Sequence, residues 1–226
     1  MTQFSELILL IKGFITSNNP GQKENNIITD KYLGLNNNGY PVRIITPDKK
    51  YQKVVIIYPG ASPHAENHPE TEKIAQIISS LGIKVYLPRL PLLKDLNISP
   101  ENSDWILHFY NWVVDKEQAE SPDFYLIGMS FGGALLVKAF SLDFIPEVRP
   151  KALLTYGTYF SFHSTCNFLL DGKHYLHGKE LSIKPHDWGM IVLMHNFLPQ
   201  IKTDFPKDEI LRNISFLIAN EKDKAD

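Results

Sequence analysis

The chain has 226 residues, a net charge of −2, 43% hydrophobic and 21% charged residues, enough for one domain with a full core. Its Lys and Arg residues are scattered, with neither the basic stripe of a nucleic-acid binder nor the polybasic run of an anionic-membrane binder. One cysteine, Cys166, excludes a disulfide framework within the chain and argues against a cysteine-based zinc site.

From the N-terminus, the apolar run 7–11 is too short to span a bilayer. It lacks the basic start of a signal peptide and follows Glu6, so it reads as a short amphipathic helix; with the free thiol, a cytoplasmic protein with no membrane span is expected. Residues 16–26 are rich in Asn, Gly, Pro and Ser and read as a loop. Strands are expected over 27–35 and 40–46, with a hairpin turn at 36–39. The β-branched run 53–58 reads as a strand buried on both faces of a parallel sheet.

Strands and helices then alternate. A helix is expected over 69–81, with Pro69 at its first position, Glu70 and Glu72 in its first turn and Gly82 after its end. A strand follows at 83–87, then a helix over 103–116 with Trp105, Ile106, Phe109, Trp112 and Val113 on one face. A strand at 124–127, a helix at 132–140 and a strand at 152–156 come next. The stretch 158–212 shows no clear strand, and 214–219 reads as a last strand. The expected class is α/β, a mostly parallel sheet with helices on both faces, whose ligand site lies beyond the carboxyl ends of the strands.

At that end of the strand 124–127 stands Gly128-Met129-Ser130-Phe131-Gly132-Gly133, with a helix beginning at once. G-x-S-x-G between a strand and a helix places the serine in a sharp, strained turn with its hydroxyl exposed. Glycine is needed two residues before and after, where the backbone passes too close to its neighbours for a side chain. The same turn points the Phe131 N–H at an oxygen that becomes negative during acyl transfer.

With this motif in this setting, residues 27–226 resemble an α/β-hydrolase of the serine esterase or lipase kind. The resemblance implies Ser130 as nucleophile and a second oxyanion donor in the loop 58–63, where Gly60 allows the turn and Ala61 supplies the N–H. The family's frequent His-Gly pair appears here as Pro59-Gly60. The family's chain order is serine, acid, histidine. The acid lies just past the seventh strand, which the strand 214–219 would supply; Asp223 then falls on it, with Asp226 and Glu221 as fallbacks and Asn220 replacing the family's glycine.

The base belongs after a further helix and strand, and no histidine follows His195. Either the chain is C-terminally incomplete, lacking the last helix, strand and catalytic histidine, or it is a complete domain without a triad. His64 and His68 read as loop histidines near the mouth of the site; His163, His174, His177, His186 and His195 fall in 158–212, which the resemblance makes a helical cap. The aromatic and methionine side chains of that stretch, among them Tyr159, Phe162, Trp188 and Phe197, read first as cap packing and give an apolar mouth suited to an acyl or alkyl group.

The expected function is hydrolysis of a carboxylic ester or related acyl bond in a small-molecule substrate, with no cofactor, no metal and no nucleic acid. The alternatives are an acyltransferase using the same serine and a non-catalytic binding or scaffold member of the fold.

Overall fold

The computed structural model describes residues 26–141, 146–202 and 204–219. The expected amphipathic helix at 7–11 lies outside the described residues. Strands β1 (Asn26–Leu33) and β2 (Gly39–Thr46) form an antiparallel hairpin. Its turn is closed by Gly34 N–H to the Asn38 carbonyl at 2.8 Å, with Asn37 at φ 60°, a left-handed conformation that asparagine tolerates. Then come β3 (Lys53–Tyr58), α1 (Pro69–Ser80), β4 (Lys84–Pro88), a short α2 (Pro91–Lys94), α3 (Asn102–Lys116), β5 (Asp123–Met129), α4 (Ser130–Ser141) and β6 (Ala152–Tyr156). The sheet order is β1-β2-β4-β3-β5-β6; β2 pairs antiparallel with β4, and the pairs β4–β3, β3–β5 and β5–β6 are parallel.

The continuous apolar run of β3 has the burial its composition demands: residues 54–58 are all buried, because helices cover both faces of the sheet there. On one face Ile56, Tyr58 and Tyr86 meet Ile106, Phe109 and Val113 of α3 and Leu135, Leu136 and Ala139 of α4. On the other, Val55, Ile57, Val85 and Leu87 meet Ala75 and Ile78 of α1. Trp112, expected on the buried face of α3, is only partly buried at the margin of the first cluster.

At the amino end of β4, Lys84 Nζ donates to the buried Glu117 carboxylate at 2.6 Å, and the Tyr51 and Tyr86 hydroxyls donate to it as well. Burial pushes the Glu117 pKa up, but the hydrogen bonds from Lys84, Tyr86 and Tyr51 outweigh it and hold the group below its ordinary 4.5. This pair is structural, at the sheet end opposite Ser130.

After β6 the chain forms α5 (Phe162–Asp171), the hairpin β7 (Lys173–Leu176) and β8 (Lys179–Ser182), α6 (Asp187–Phe197) and α7 (Lys207–Ile218). Two expectations are corrected here. The stretch 158–212 does contain strands: β7 and β8 are joined by His177 and Gly178 at φ 49° and 76°, both left-handed, as a two-residue type I′ turn requires. The strand expected at 214–219 is instead the end of helix α7. An apolar run this short does not by itself separate strand from helix. The deciding signals lie just upstream: Pro206 precedes the helix, Asp208 and Glu209 occupy its first turn, and Ile210, Ile214 and Leu217 recur at helical spacing. No helix among the described residues is long and apolar enough to cross a membrane.

Candidate active site at the β5–α4 turn

Ser130 is the first residue of α4, directly after β5, and its φ is +49°. A left-handed conformation at a non-glycine residue stores strain of about 1–3 kcal/mol, which the surroundings must hold in place. They do so by contact. A Cβ on Gly128 would come within 2.5 Å of the Gly133 Cα, and one on Gly132 within 2.0 Å of the Pro59 carbonyl oxygen. One on Gly133 would stand 2.9 Å from the Gly128 carbonyl oxygen and from Thr158 Oγ1. Both glycines of G-x-S-x-G are therefore fixed by backbone against backbone. The Ser130 side chain is exposed and has no hydrogen-bond partner among the described residues.

The loop after β3 lies against this serine. A Cβ on Gly60 would be 3.1 Å from Ser130 Cβ and 3.7 Å from its Oγ, so only glycine lets the Gly60–Ala61 backbone approach so closely. Neither Ala61 nor Phe131 donates its backbone N–H to another described residue. The loop is held from several sides. Ser62 N–H donates to the Leu93 carbonyl at 3.2 Å, and the Trp188 indole N–H donates to the Ala61 carbonyl at 3.0 Å. Ala65 sits at φ 45°. Buried Glu66 receives both Nε, at 2.9 Å, and a terminal nitrogen of Arg89; the pairing raises the guanidinium pKa, and the Arg89 carbonyl in turn accepts the Tyr32 hydroxyl at 2.6 Å.

All eight histidines of the chain are among the described residues, and none hydrogen-bonds Ser130. His64 and His68, on the same loop, meet edge to face with ring centres 6.0 Å apart. Burial, and then the neighbouring His64, push the His68 pKa down, and its Nδ1 is buried without a partner among the described residues. Asp223, the acid position implied by the resemblance, lies outside the described residues, as do Glu221 and Asp226. The seventh strand that was to precede it is helical.

Beside the turn is a cavity of about 600 Å³, within the range of small-molecule sites. Its walls include Phe131, Leu135, Tyr159, Phe162, Phe197 and Lys138; Ser130 itself is not among them. Phe131, Tyr159, Phe162 and Phe197 form a series with successive ring centres 5.8, 5.9 and 5.8 Å apart. The residue next to Ser130 thus begins an aromatic wall that ends on α6.

Sequence reasoning placed Ser130, Phe131, Gly60 and Ala61 at one end of the sheet, and the structure brings them together there. It did not find the Trp188 bond to Ala61 or the Glu66–Arg89 pair. Trp188 carries no signal of such a role in a methionine- and aromatic-rich helix, whereas an acid eight residues past β3 and an arginine just after β4 are visible in the sequence but unpaired until folded.

No family model and no curated protein sequence matches the chain. Solved structures do. A carboxyl esterase from Bacillus coagulans, a thermostable enzyme in complex with glycerol, superposes with a TM-score of 0.50 at 15% identity, covering 86% of this chain and 65% of its own. A lipase/esterase from Lactobacillus plantarum superposes with a TM-score of 0.50 at 14% identity, covering 65% of this chain and 64% of its own. In each the match spans less than two thirds of the known structure. At such identities the likeness fixes the fold: the chain has the α/β-hydrolase fold, with its sheet and flanking helices in that arrangement.

Proposed function

We propose that this chain carries the nucleophile and oxyanion groups of a serine hydrolase acting on carboxylic esters or related acyl bonds. The observation that carries the reading is the strained Ser130 turn between β5 and α4 with the Gly60–Ala61 backbone pressed against it. Ser130 is the nucleophile, Phe131 and Ala61 N–H groups bind the oxyanion, and the segment 158–212 covers the site. The aromatic wall beginning at Phe131 favours an apolar acyl or alkyl group on a small-molecule substrate. The lone free thiol, Cys166, favours a reducing, cytoplasmic setting.

In the reaction Ser130 Oγ bonds to the carbonyl carbon and gives up its proton to a base. The carbonyl oxygen takes the negative charge between the two N–H groups, and collapse breaks the acyl–oxygen bond, releasing the alcohol with a proton. Water then attacks the acyl-serine and frees the acid. A serine hydroxyl is a poor nucleophile without a base, and none of the eight histidines is bonded to it. The acid position implied by the resemblance, Asp223, depended on a seventh strand at 214–219, and that stretch is helical, so Asp223 carries no role in this proposal.

The lack of a histidine bonded to Ser130 favours a second reading, a non-catalytic binding member of the fold. A p-nitrophenyl ester with a short acyl chain separates the two. The first predicts a slow, stoichiometric release of nitrophenolate with little turnover, since an activated ester can acylate Ser130 while no base is placed to activate water for deacylation. Ser130→Ala removes that release. Release that is unchanged in Ser130→Ala, or absent from the folded unaltered protein, rejects the hydrolase reading.

A further inference from the structure

We infer that Trp188 is a positioning residue of this site: its indole N–H, donated to the Ala61 carbonyl, fixes the peptide next to the Ala61 N–H and ties oxyanion binding to the segment after β6. The inference rests on the reading of Ser130 as nucleophile.

The geometry isolates one peptide unit. In the Ala61–Ser62 peptide the N–H donates to the Leu93 carbonyl at 3.2 Å, and the carbonyl accepts the Trp188 indole at 3.0 Å. The first anchor comes from the core of the sheet domain, just after β4; the second comes from 127 residues further along the chain. Upstream, Pro59 is wedged against Gly132 and Gly60 against Ser130. Ala61 is therefore the link between a clamped stretch and a peptide that, without Trp188, is held at its N–H end alone. Released at its carbonyl, that peptide lets the Ala61 Cα shift, and the Gly60–Ala61 peptide that carries the Ala61 N–H turns with it. An oxyanion donor works only when aimed at the developing charge, and a lost donor typically slows acyl transfer about 10²–10³-fold. A donor present but loosely aimed loses less, about tenfold.

The indole is itself held. It sits in the first turn of α6, where the Trp188 backbone N–H donates to His186 Nδ1 at 3.2 Å. A Cβ on Gly189 would stand 2.8 Å from Leu169 Cδ2, so α6 presses closely onto α5. At the far end of α6, Asn196 accepts from the Ile98 N–H at 3.2 Å and donates to the Leu96 carbonyl at 2.8 Å. The helix is pinned at both ends, and one pin ends on the site. A tryptophan that only filled space would leave its N–H to any acceptor or to water; here the acceptor is the carbonyl one residue beyond Gly60, the glycine that touches Ser130.

The test is the rate of Ser130 phosphonylation by a p-nitrophenyl alkylphosphonate, in which the Oγ–P bond forms, the bond from phosphorus to the nitrophenyl oxygen breaks, nitrophenolate leaves and the hydroxyl proton passes to solvent. Ser130 modification is confirmed by mass spectrometry. The limiting rate and the half-saturating concentration are measured for the unaltered protein, for Trp188→Phe, and for Trp188 replaced by 3-benzothienylalanine, which keeps the indole shape and removes only the N–H. Both variants are expected to lower the limiting rate about tenfold while leaving half-saturation and thermal midpoint unchanged. Labelling at an unchanged limiting rate in the benzothienyl variant overturns the role of Trp188 and leaves Ser130 as nucleophile. A loss that appears only in half-saturation or in the thermal midpoint also overturns it, since plain packing has that signature. A folded, unaltered protein that never labels at Ser130 overturns the nucleophile reading, and this inference with it.

Discussion

Strands β3 and β6 belong to one sheet and both read as apolar, yet they live in opposite environments. Ile56 and Ile57 of β3 are fully buried, whereas Leu154 and Tyr156 of β6 are 61% and 70% exposed. β3 has a strand on each side and helices over both faces; β6 pairs with β5 alone among the described residues. The same contrast runs through the helices. α3 buries seven residues, while α5 buries none and α6 and α7 bury one each, Val192 and Ile214. The first region is held by apolar area removed from water. The segment after β6 owes its placement to a few directed contacts, chiefly those of Trp188 and Asn196 and the aromatic series from Phe131 to Phe197.

The largest effect is expected where area dominates. Phe109→Ala removes a fully buried ring from between α3 and the sheet and should destabilise by about 3–5 kcal/mol in urea unfolding. The Glu117 cluster sharpens the picture with pH. Its folded pKa is held below 4.5, so the stability it adds is present above pH 4.5 and disappears as pH falls through the lowered value. Lys84→Met, which leaves the buried carboxylate without its cation, should destabilise by about 3 kcal/mol at neutral pH. Glu117→Gln should flatten the acid limb of a thermal-melt series. A steep limb that persists in Glu117→Gln would assign it to other groups.

In the segment after β6 the scale drops. Asn196→Ala removes the bonds to Ile98 and Leu96 and should cost about 1 kcal/mol, seen mainly as faster amide exchange in α6 rather than a lower global midpoint. Smallest of all, Leu154→Thr on β6 should stay within about 0.5 kcal/mol. A loss of 2 kcal/mol there would show that β6 is covered in solution and would break the comparison.

The same division governs what was legible in the sequence. Up to β6, propensity, period and turn chemistry agree, and apart from the one-turn α2, which was not expected, the elements fall within a few residues of expectation: the helix expected at 69–81 is Pro69–Ser80, and the strand expected at 124–127 is Asp123–Met129. Ser130 was legible for the same reason, since glycines at 128 and 132 report backbone contacts that admit no Cβ. Beyond β6 the signals conflict. The run 214–219 is apolar enough for a strand, and the signals that reveal a helix, Pro206, the acids of the first turn and the spacing of Ile210, Ile214 and Leu217, lie mostly upstream of it. β7 and β8 are short, and their turn uses His177-Gly178 rather than the Asn-Gly that marks such hairpins most clearly. The bond from Trp188 to Ala61 spans 127 residues, a separation at which no local pattern informs.

The most direct test of the central claim is where an acyl group lands. The protein is incubated with a p-nitrophenyl ester, quenched in acid and digested with trypsin, and the peptide 117–138 is sequenced by mass spectrometry. That peptide contains two serines, Ser121 and Ser130. The account predicts one acyl group per chain, on Ser130, and none on this peptide in Ser130→Ala. An adduct spread over Ser121 and surface lysines, or carried equally by Ser130→Ala, would contradict it.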